Sequence, residues 1–138
     1  MSPLLWKEVY SVGVPELDQQ HQHLLGIINR LIQEQRDTFN PEQFSTAIND
    51  LTHYAYTHFA AEERLMEKGD FPNIKTHVLD HVDFIMKMLG LALKAEQGSN
   101  EDRKELLRYL RDWYAGHVLG IDREYIPYVT NEKLPPHV

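Results

Sequence analysis

Five histidines and two carboxylates have spacings that suit the ligands of one metal centre: His21, His58, Glu62, His77, His81, His117 and Asp122. His58 and Glu62 are four residues apart, and so are His77 and His81. Residues at this spacing project from one face of a helix, one turn apart, so each pair can present two ligands to a single site. A lone buried histidine is usually a hydrogen-bonded core residue. This many imidazoles on apolar stripes favour a metal site instead.

The spacing of His117 and Asp122 does not fit a regular helix. Five residues at 100° each place the two side chains about 140° apart around the helix axis, so they would point in different directions. The sequence therefore predicts an irregularity there, such as a π-bulge or a helix end. Gly116 and Gly120 lie in this segment, and glycine can adopt the unusual backbone angles that such an irregularity requires.

Four stretches with helical periodicity carry these residues, and Pro, Gly and Asn separate them. They cover residues 18–37, 41–68, 74–97 and 100–119, with Asp18 expected to cap the first. Short connections make neighbouring helices antiparallel. We therefore predict an all-α fold, an up-down-up-down antiparallel four-helix bundle.

The chain is predicted to form one domain over residues 1–138. Within it we expect an extended N-terminal arm over 1–17, the bundle over 18–126 and an irregular tail over 127–138, which contains three prolines. In this topology the start of the first helix, the end of the second, the start of the third and the end of the fourth lie at one end. All the candidate ligands fall at those positions, so they should meet.

Composition narrows the chemistry further. The formal net charge of −7 argues against nucleic acid or an anionic membrane as a partner. The absence of cysteine excludes disulfides, thiolate zinc sites and cysteine-bound iron–sulfur clusters, which leaves imidazole and carboxylate as ligands. No apolar run approaches ~18 residues and the N-terminus does not resemble a secretory signal, so we expect no membrane insertion and a cytoplasmic location.

Seven ligands exceed the four that zinc prefers, and imidazole with carboxylate suits iron. If both carboxylates and a solvent oxygen bridge two irons, three histidines complete six-coordination on one of them. Two histidines leave the other iron with an open position, where a small molecule can bind.

Four motifs then carry a family resemblance: LDQQHQHLL (17–25), HFAAEERLM (58–66), HVLDH (77–81) and HVLGID (117–122). In this order they resemble the signatures of hemerythrins, and the chain is similar in length to free-standing bacterial members. The resemblance implies a di-iron centre with an oxo or hydroxo bridge that binds O2 reversibly. It assigns His77, His81 and His117 to the full iron, His21 and His58 to the open one, and Glu62 and Asp122 to the bridges.

The resemblance also implies a pocket for O2, which we expect to be lined by Leu24, Phe59, Trp113, Tyr114, Val118 and Ile121. Ordinary core packing would require such side chains as well. Tyr114 departs from the family pattern, which usually has an aliphatic residue there. Its ring can tilt outward so that the hydroxyl meets water, or point inward, reduce the pocket volume and place the hydroxyl near the irons or their ligand.

The resemblance favours an oxygen carrier, storage or delivery protein rather than an enzyme. A two-iron oxidase is the first alternative, but no Glu is followed by His three residues later, as ferritin-like enzymes require. A sensor module and a structural zinc site are the others. We expect O2 as ligand, a transient O2-consuming partner and a monomer. We also expect Glu62, but not its neighbour Glu63, to be needed for iron.

Overall fold

The computed structural model describes residues 2–130, and helices account for most of them. The four long helices are α1 (Pro15–Arg36), α2 (Pro41–Lys68), α3 (Ile74–Gln97) and α4 (Asn100–Trp113). The shorter elements are a 3-10 helix (Glu8–Tyr10) in the arm, a π-helix (Tyr114–Val118), a second 3-10 helix (Ile121–Tyr125) and α5 (Ile126–Val129). No strand occurs between residues 2 and 130.

The long helices pack as a closed ring in which α1 contacts α2, α2 contacts α3, α3 contacts α4 and α4 contacts α1. Short loops join consecutive helices, so neighbours run antiparallel. The predicted all-α four-helix bundle is confirmed. None of the helices within residues 2–130 combines the length and apolar composition that a membrane-spanning segment needs.

Two apolar clusters fill the bundle, one on each side of the candidate ligands. The larger draws on all four long helices and includes Leu31, Leu51, Met88 and Leu110, all almost fully buried. The smaller closes the ligand end and combines residues of the arm, of the helices and of the segment after α4: Val12, Leu17, Ala61, Met66, Phe71, Tyr125 and Val129. The ligands therefore lie in a layer between two dry regions.

Local sequence signals explain where α2 and α4 begin. The Asn40 side chain accepts hydrogen bonds from the backbone N–H groups of Glu42 and Gln43, and Pro41 occupies the first turn, where it loses no hydrogen bond. Ser99 and Asp102 form a reciprocal capping box at the start of α4. These caps define where the two helices begin, and α2 carries His58 and Glu62.

The prediction for the start of α1 was wrong. The helix begins at Pro15, and Asp18 lies inside it rather than capping it. The Asp18 carboxylate instead accepts hydrogen bonds from the Ser11 hydroxyl and, at 2.8 Å, from the backbone N–H of Val12. Asp18 therefore ties the arm to the bundle. The arm is also not extended throughout, because Glu8–Tyr10 forms a helical turn.

The irregularity predicted between His117 and Asp122 is confirmed, since α4 passes into the π-helix before the second 3-10 helix. The prediction of an irregular tail was wrong for residues 127–129, which belong to α5 (Ile126–Val129). Residues 131–138 lie outside the described part of the chain. The Arg123 guanidinium donates to the Val9 carbonyl at 2.9 Å, so the arm also holds the segment after α4.

The turn after the π-helix leaves no room for a side chain at Gly120. A Cβ atom there would lie 2.6 Å from the Gly116 carbonyl oxygen, whereas a Cβ at Gly26, exposed on α1, would meet nothing within 4 Å. We expect Gly120→Ala to lower the free energy of unfolding by about 1–3 kcal/mol, because the backbone must shift. Gly26→Ala should raise it by about 0.5–1 kcal/mol. Urea titration of the metal-free proteins measures both, and equal effects would contradict the steric argument.

Candidate metal centre

All the predicted ligands converge in the structure. Each is at most 3% exposed. They form two overlapping groups whose ligand atoms lie within 4.8 Å of one another: Glu62, His77, His81, His117 and Asp122 in one, and His21, His58, Glu62 and Asp122 in the other. Glu62 and Asp122 belong to both groups. The two carboxylates therefore lie between two sets of imidazoles.

The candidate ligands come from five helical elements of the bundle. His21 comes from α1, His58 and Glu62 come from successive turns of α2, and His77 and His81 come from successive turns of α3. His117 lies in the π-helix and Asp122 in the following 3-10 helix. A site assembled from all these elements exists only when the whole end of the bundle is folded.

The irregular segment after α4 turns Asp122 back towards the bundle axis. The Leu119 N–H bonds to the Tyr114 carbonyl at 3.4 Å, a π-type bond, and the chain then tightens at Gly120. As a result Asp122 Oδ1 lies 2.9 Å from both His77 Nε2 and His117 Nε2. A straight α4 would have carried Asp122 away from these imidazoles.

The histidines direct their Nε2 atoms inward. His21 Nε2 lies 3.2 Å from Asp122 Oδ2 and 3.6 Å from Glu62 Oε2. Glu62 Oε1 lies 3.3 Å from His58 Nε2 and 3.2 Å from His81 Nε2. Imidazole nitrogens and carboxylate oxygens thus face one another around a small shared space.

Several of these inward atoms are buried without a hydrogen-bond partner among the described residues. They are the Nε2 atoms of His21, His58, His81 and His117, with Glu62 Oε1 and Asp122 Oδ2. Leaving a buried polar atom unpaired costs about 1–3 kcal/mol, so a folded protein rarely tolerates a cluster of them. Lone pairs aimed at one place from neutral imidazoles and ionised carboxylates are what a metal cation requires. The donor set fits a metal.

Three of the histidines are oriented through their other ring nitrogen by residues that sequence reasoning missed. His58 Nδ1 lies 2.6 Å from Gln20 Oε1, and His81 Nδ1 lies 2.9 Å from Glu63 Oε2. The Asp80 carboxylate accepts from His117 Nδ1. A proton held on Nδ1 leaves Nε2 free as a metal ligand and fixes the ring plane.

The three orienting residues are placed in the same way on successive helices of the bundle. Gln20, Glu63 and Asp80 each precede or follow a candidate ligand on their own helix, yet each bonds a histidine of the next helix. Successive helical residues point 100° apart, so the neighbour of an inward ligand faces the adjacent helix. Glu63, which the sequence did not single out as a partner of a ligand, thus contacts His81. Its position beside Glu62 was the available signal.

Tyr125 is a fourth residue that positions a candidate ligand. Its buried hydroxyl donates to Glu62 Oε2 at 2.6 Å, and burial beside that carboxylate raises the pKa of the phenol well above its usual range. Tyr125 therefore remains a donor at any ordinary pH. Glu62 is held by Tyr125 on one oxygen and faces His58 and His81 with the other.

The metal-free site is charged in a way that metal uptake must reverse. Burial opposes protonation of His21, but the nearby carboxylates of Asp122 and Glu62 outweigh it and raise the His21 pKa to about 9. Burial and the charge of Glu62 oppose ionisation of Asp122, but His117 and His21 prevail and hold its pKa at about 2. At neutral pH the site thus holds a His21 proton, which an incoming cation must displace.

The same pKa shifts link the stability of the metal-free fold to pH. Because the folded-state pKa of His21 is raised, its attraction to the carboxylates stabilises the fold fully below about pH 6.5 and is lost as the pH rises through about 9. The lowered pKa of Asp122 acts in the opposite direction, since its contribution is lost as the pH falls through about 2.

Aromatic rings pack directly against the candidate ligands. Phe59 stacks on His81 with ring centroids 3.8 Å apart, and Trp113 stacks on His117 at 4.6 Å. Leu24 and Val118 are buried in the same core cluster. Ile121, also expected in the pocket, is instead 37% exposed and lines a surface groove with Leu79 and Phe71. The π-helix and tight turn before Ile121 direct Asp122 inward and its neighbour outward.

Tyr114 points inward and is only 2% exposed, so its ring does not tilt towards water. Its hydroxyl donates to the His21 backbone carbonyl at 3.0 Å. Burial also raises the Tyr114 pKa, which keeps the phenol protonated. The hydroxyl proton is therefore used to hold α1 against the π-helix, beside the ligand His21, and is not directed at the space between the ligands.

Comparisons with known proteins agree with this geometry. The family model for the Hemerythrin HHE cation binding domain matches residues 12–129. A bacteriohemerythrin of Clostridium acetobutylicum is 28% identical over 127 residues, which cover 88% of this chain and 98% of that protein. A bacteriohemerythrin of Stenotrophomonas maltophilia is 30% identical, and the match covers 91% of this chain and 80% of that protein. A myohemerythrin of Riftia pachyptila is 27% identical, and the match covers 90% of this chain and 92% of that protein.

The fold matches a solved structure as well. A crystal structure of wild-type hemerythrin superposes with a TM-score of 0.81 at 23% identity, covering 93% of this chain and 98% of that one. The family match spans both orienting and ligating residues described above, from the arm to α5. The chain belongs to the hemerythrin family.

Proposed function

We propose that this chain binds O2 reversibly at a pair of iron ions held between the two apolar clusters. The observation that carries the proposal is the pair of overlapping ligand groups that share Glu62 and Asp122, with their inward atoms buried and unpaired. Two groups that share both carboxylates suit two ions bridged by those carboxylates. Relatives named bacteriohemerythrin and myohemerythrin support the same assignment.

The donors are unequally divided between the two groups, and this asymmetry supports an open position. His77, His81 and His117 would hold one iron, and His21 and His58 would hold the other. Glu62 and Asp122 would be shared by both irons, so the second iron would have one protein ligand fewer. The iron pair, when bound, supplies two one-electron reductants side by side, which is the chemistry that reversible O2 binding needs.

The role of the surrounding residues is to exclude water and fix protons. Leu24, Phe59, Trp113 and Val118 surround the ligands with apolar surface, which admits O2 more readily than ions or water. Tyr125 holds one oxygen of Glu62, and the Nδ1 partners hold three imidazole planes. Little side-chain movement is then needed between the ligand-free and ligand-bound states.

The donor set also favours carriage of O2 over its consumption. A site with five histidines and two carboxylates is poorer in negative charge than the carboxylate-rich sites of ferritin-like di-iron proteins, and so stabilises highly oxidised iron less. We therefore propose a carrier, storage or delivery protein rather than an enzyme. The cytoplasmic location and a transient O2-consuming partner stay predictions from the sequence.

The first test loads the metal-free protein with ferrous iron under nitrogen and then exposes it to O2. We expect two irons per chain and visible charge-transfer bands that appear with O2 and disappear when O2 is removed. Metal analysis and absorption spectra measure both. A single metal per chain, bands that do not reverse, or continuous O2 consumption with a reductant would contradict the proposal.

A second prediction separates three glutamates of α2. Glu62→Ala should lose most of the iron, because it removes a carboxylate shared by both groups. Glu63→Ala should keep the site but bind iron about 10–100-fold more weakly, because His81 loses its orienting partner. Glu67→Ala is the matched control, since Glu67 is exposed and should change nothing.

Iron content after dialysis against a graded series of chelator concentrations ranks these variants. The expected order of retention is Glu67→Ala, then Glu63→Ala, then Glu62→Ala. Equal retention in the Glu62 and Glu67 variants would refute the bridging role of Glu62. Equal retention in the Glu63 and Glu67 variants would refute the orienting role of Glu63.

A third prediction concerns Tyr114. Tyr114→Phe keeps the ring and loses the bond to the His21 carbonyl, so the free energy of unfolding should fall by about 1 kcal/mol with little change in O2 dissociation. Tyr114→Leu also removes the ring and opens space beside His21. Its O2 dissociation and autoxidation should be severalfold faster, as stopped-flow absorption can measure. Rates equal to those of the parent would discard a role for the ring.

A further inference from the structure

The two ligand groups differ in what holds their histidines from outside. In the three-histidine group, which contains His77, His81 and His117, two of the rings bond a carboxylate through Nδ1. His81 Nδ1 lies 2.9 Å from Glu63 Oε2, and His117 Nδ1 donates to the Asp80 carboxylate. A carboxylate that accepts from a ligating imidazole fixes the ring plane and makes the other ring nitrogen a stronger metal ligand. This group is thus supported by two negative charges beyond its own ligands.

The two-histidine group, which contains His21 and His58, lacks such support. The partner of His58 Nδ1 is the neutral amide of Gln20, whose Oε1 lies 2.6 Å away. His21 Nδ1 is buried and has no hydrogen-bond partner among the described residues. An amide oxygen can fix a ring plane, but it adds no net charge, and an unpaired Nδ1 has neither effect. The two-histidine group is therefore held less firmly and is less attractive to a cation.

Ring stacking shows the same inequality. Phe59 stacks on His81 and Trp113 stacks on His117, with interplanar angles of 5° and 12°. The two rings of the two-histidine group instead meet each other edge to face, with centroids 4.4 Å apart. A stacked neighbour covers the face of an imidazole and restricts its rotation more than an edge contact does. The three-histidine group is therefore the better preorganised of the two.

The two groups also compete for the same negative charge, because Glu62 and Asp122 belong to both. An ion that binds first takes up the charge of both carboxylates and repels a second ion beside it. The second ion therefore binds more weakly than the first, and the contacts outside the ligands decide which group is filled first. Three imidazoles supported by two carboxylates outweigh two imidazoles supported by one amide.

We propose that the three-histidine group binds the first ferrous ion and that the two-histidine group binds the second about 100-fold more weakly, since each supporting partner changes metal affinity by about 10–100-fold. The consequence rests on the proposed function, in which each iron supplies one electron to O2. A chain with one ion then binds no O2. Binding of O2 by this chain is therefore controlled by the supply of ferrous iron, through the weaker group.

Equilibrium dialysis of the metal-free full chain under nitrogen, against buffers with graded free ferrous ion, measures the two steps. Iron content should rise to one ion per chain, remain there over about two decades of ferrous concentration, and then rise to two. After O2 is added, charge-transfer bands should be absent at one ion per chain and should follow the second step. Uptake of both ions in one step, or bands that grow with the first ion, would overturn the proposal.

A reciprocal exchange of amide and carboxylate identifies the group that each step fills. Gln20→Glu gives His58 a carboxylate partner and should move only the second step, to about tenfold lower ferrous concentration. Glu63→Gln gives His81 an amide partner and should move only the first step, to about tenfold higher concentration. Gln22→Glu is the matched control for added charge, since Gln22 is exposed on α1, and it should move neither step.

Helical circular dichroism of the metal-free variants checks that each one folds. A Gln20→Glu variant whose first step moves, or a Glu63→Gln variant whose second step moves, would place the tighter ion in the two-histidine group and overturn the assignment. Shifts no larger than that of Gln22→Glu would overturn the role of the outer contacts.

The proposed function fails by a different result. Two-step uptake without reversible bands would refute O2 binding and still support unequal groups. One-step uptake with reversible bands would support O2 binding and overturn the inequality.

Discussion

The arrangement of the ligand end of the bundle depends on a cluster of buried lone pairs that have no hydrogen-bond partner among the described residues. Imidazole nitrogens and carboxylate oxygens at the centre of the bundle face one another rather than donors. In a metal-free chain, protonation of His21 relieves part of this conflict and holds Glu62 and Asp122 ionised. A divalent cation relieves it more completely, because it satisfies several lone pairs at once. Metal binding and folding of this end are thus coupled.

The rest of the molecule confines these unpaired polar atoms to one layer of the bundle. One apolar cluster fills the bundle away from the site, and a second, closed by the arm and α5, seals the end. Between them, the orienting contacts pass from helix to helix, from Gln20 to His58, from Glu63 to His81 and from Asp80 to His117. α1, α2 and α3 therefore each supply a ligand and also the support for a ligand on the next element.

The sequence predicted the bundle and its convergence because both follow from local rules. Apolar periodicity, caps such as Asn40 and the i,i+4 pairing of His77 with His81 depend only on helix geometry. Even the break before Asp122 followed from counting residues. These features need no knowledge of which helices are neighbours beyond the short loops.

What the sequence did not predict depends on contacts between helices. Glu63 was not expected to be needed for iron, but the position of α3 places His81 beside it. Asp18 looked like a cap, but the path of the arm brought Ser11 to it. Ile121 was assigned to the pocket by proximity to Asp122, yet the turn at Gly120 directs it outward.

The π-helix fixes the number of residues that must separate α4 from Asp122. Removing one residue from Tyr114–Val118 would let α4 continue regularly, and everything after it would rotate by about 100°. Removing one from residues 37–39, ahead of the Asn40 cap, would alter only a connection at the far end of the bundle. Relatives should therefore tolerate insertions and deletions in that loop, while the distance in residues from α4 to the last carboxylate stays the same.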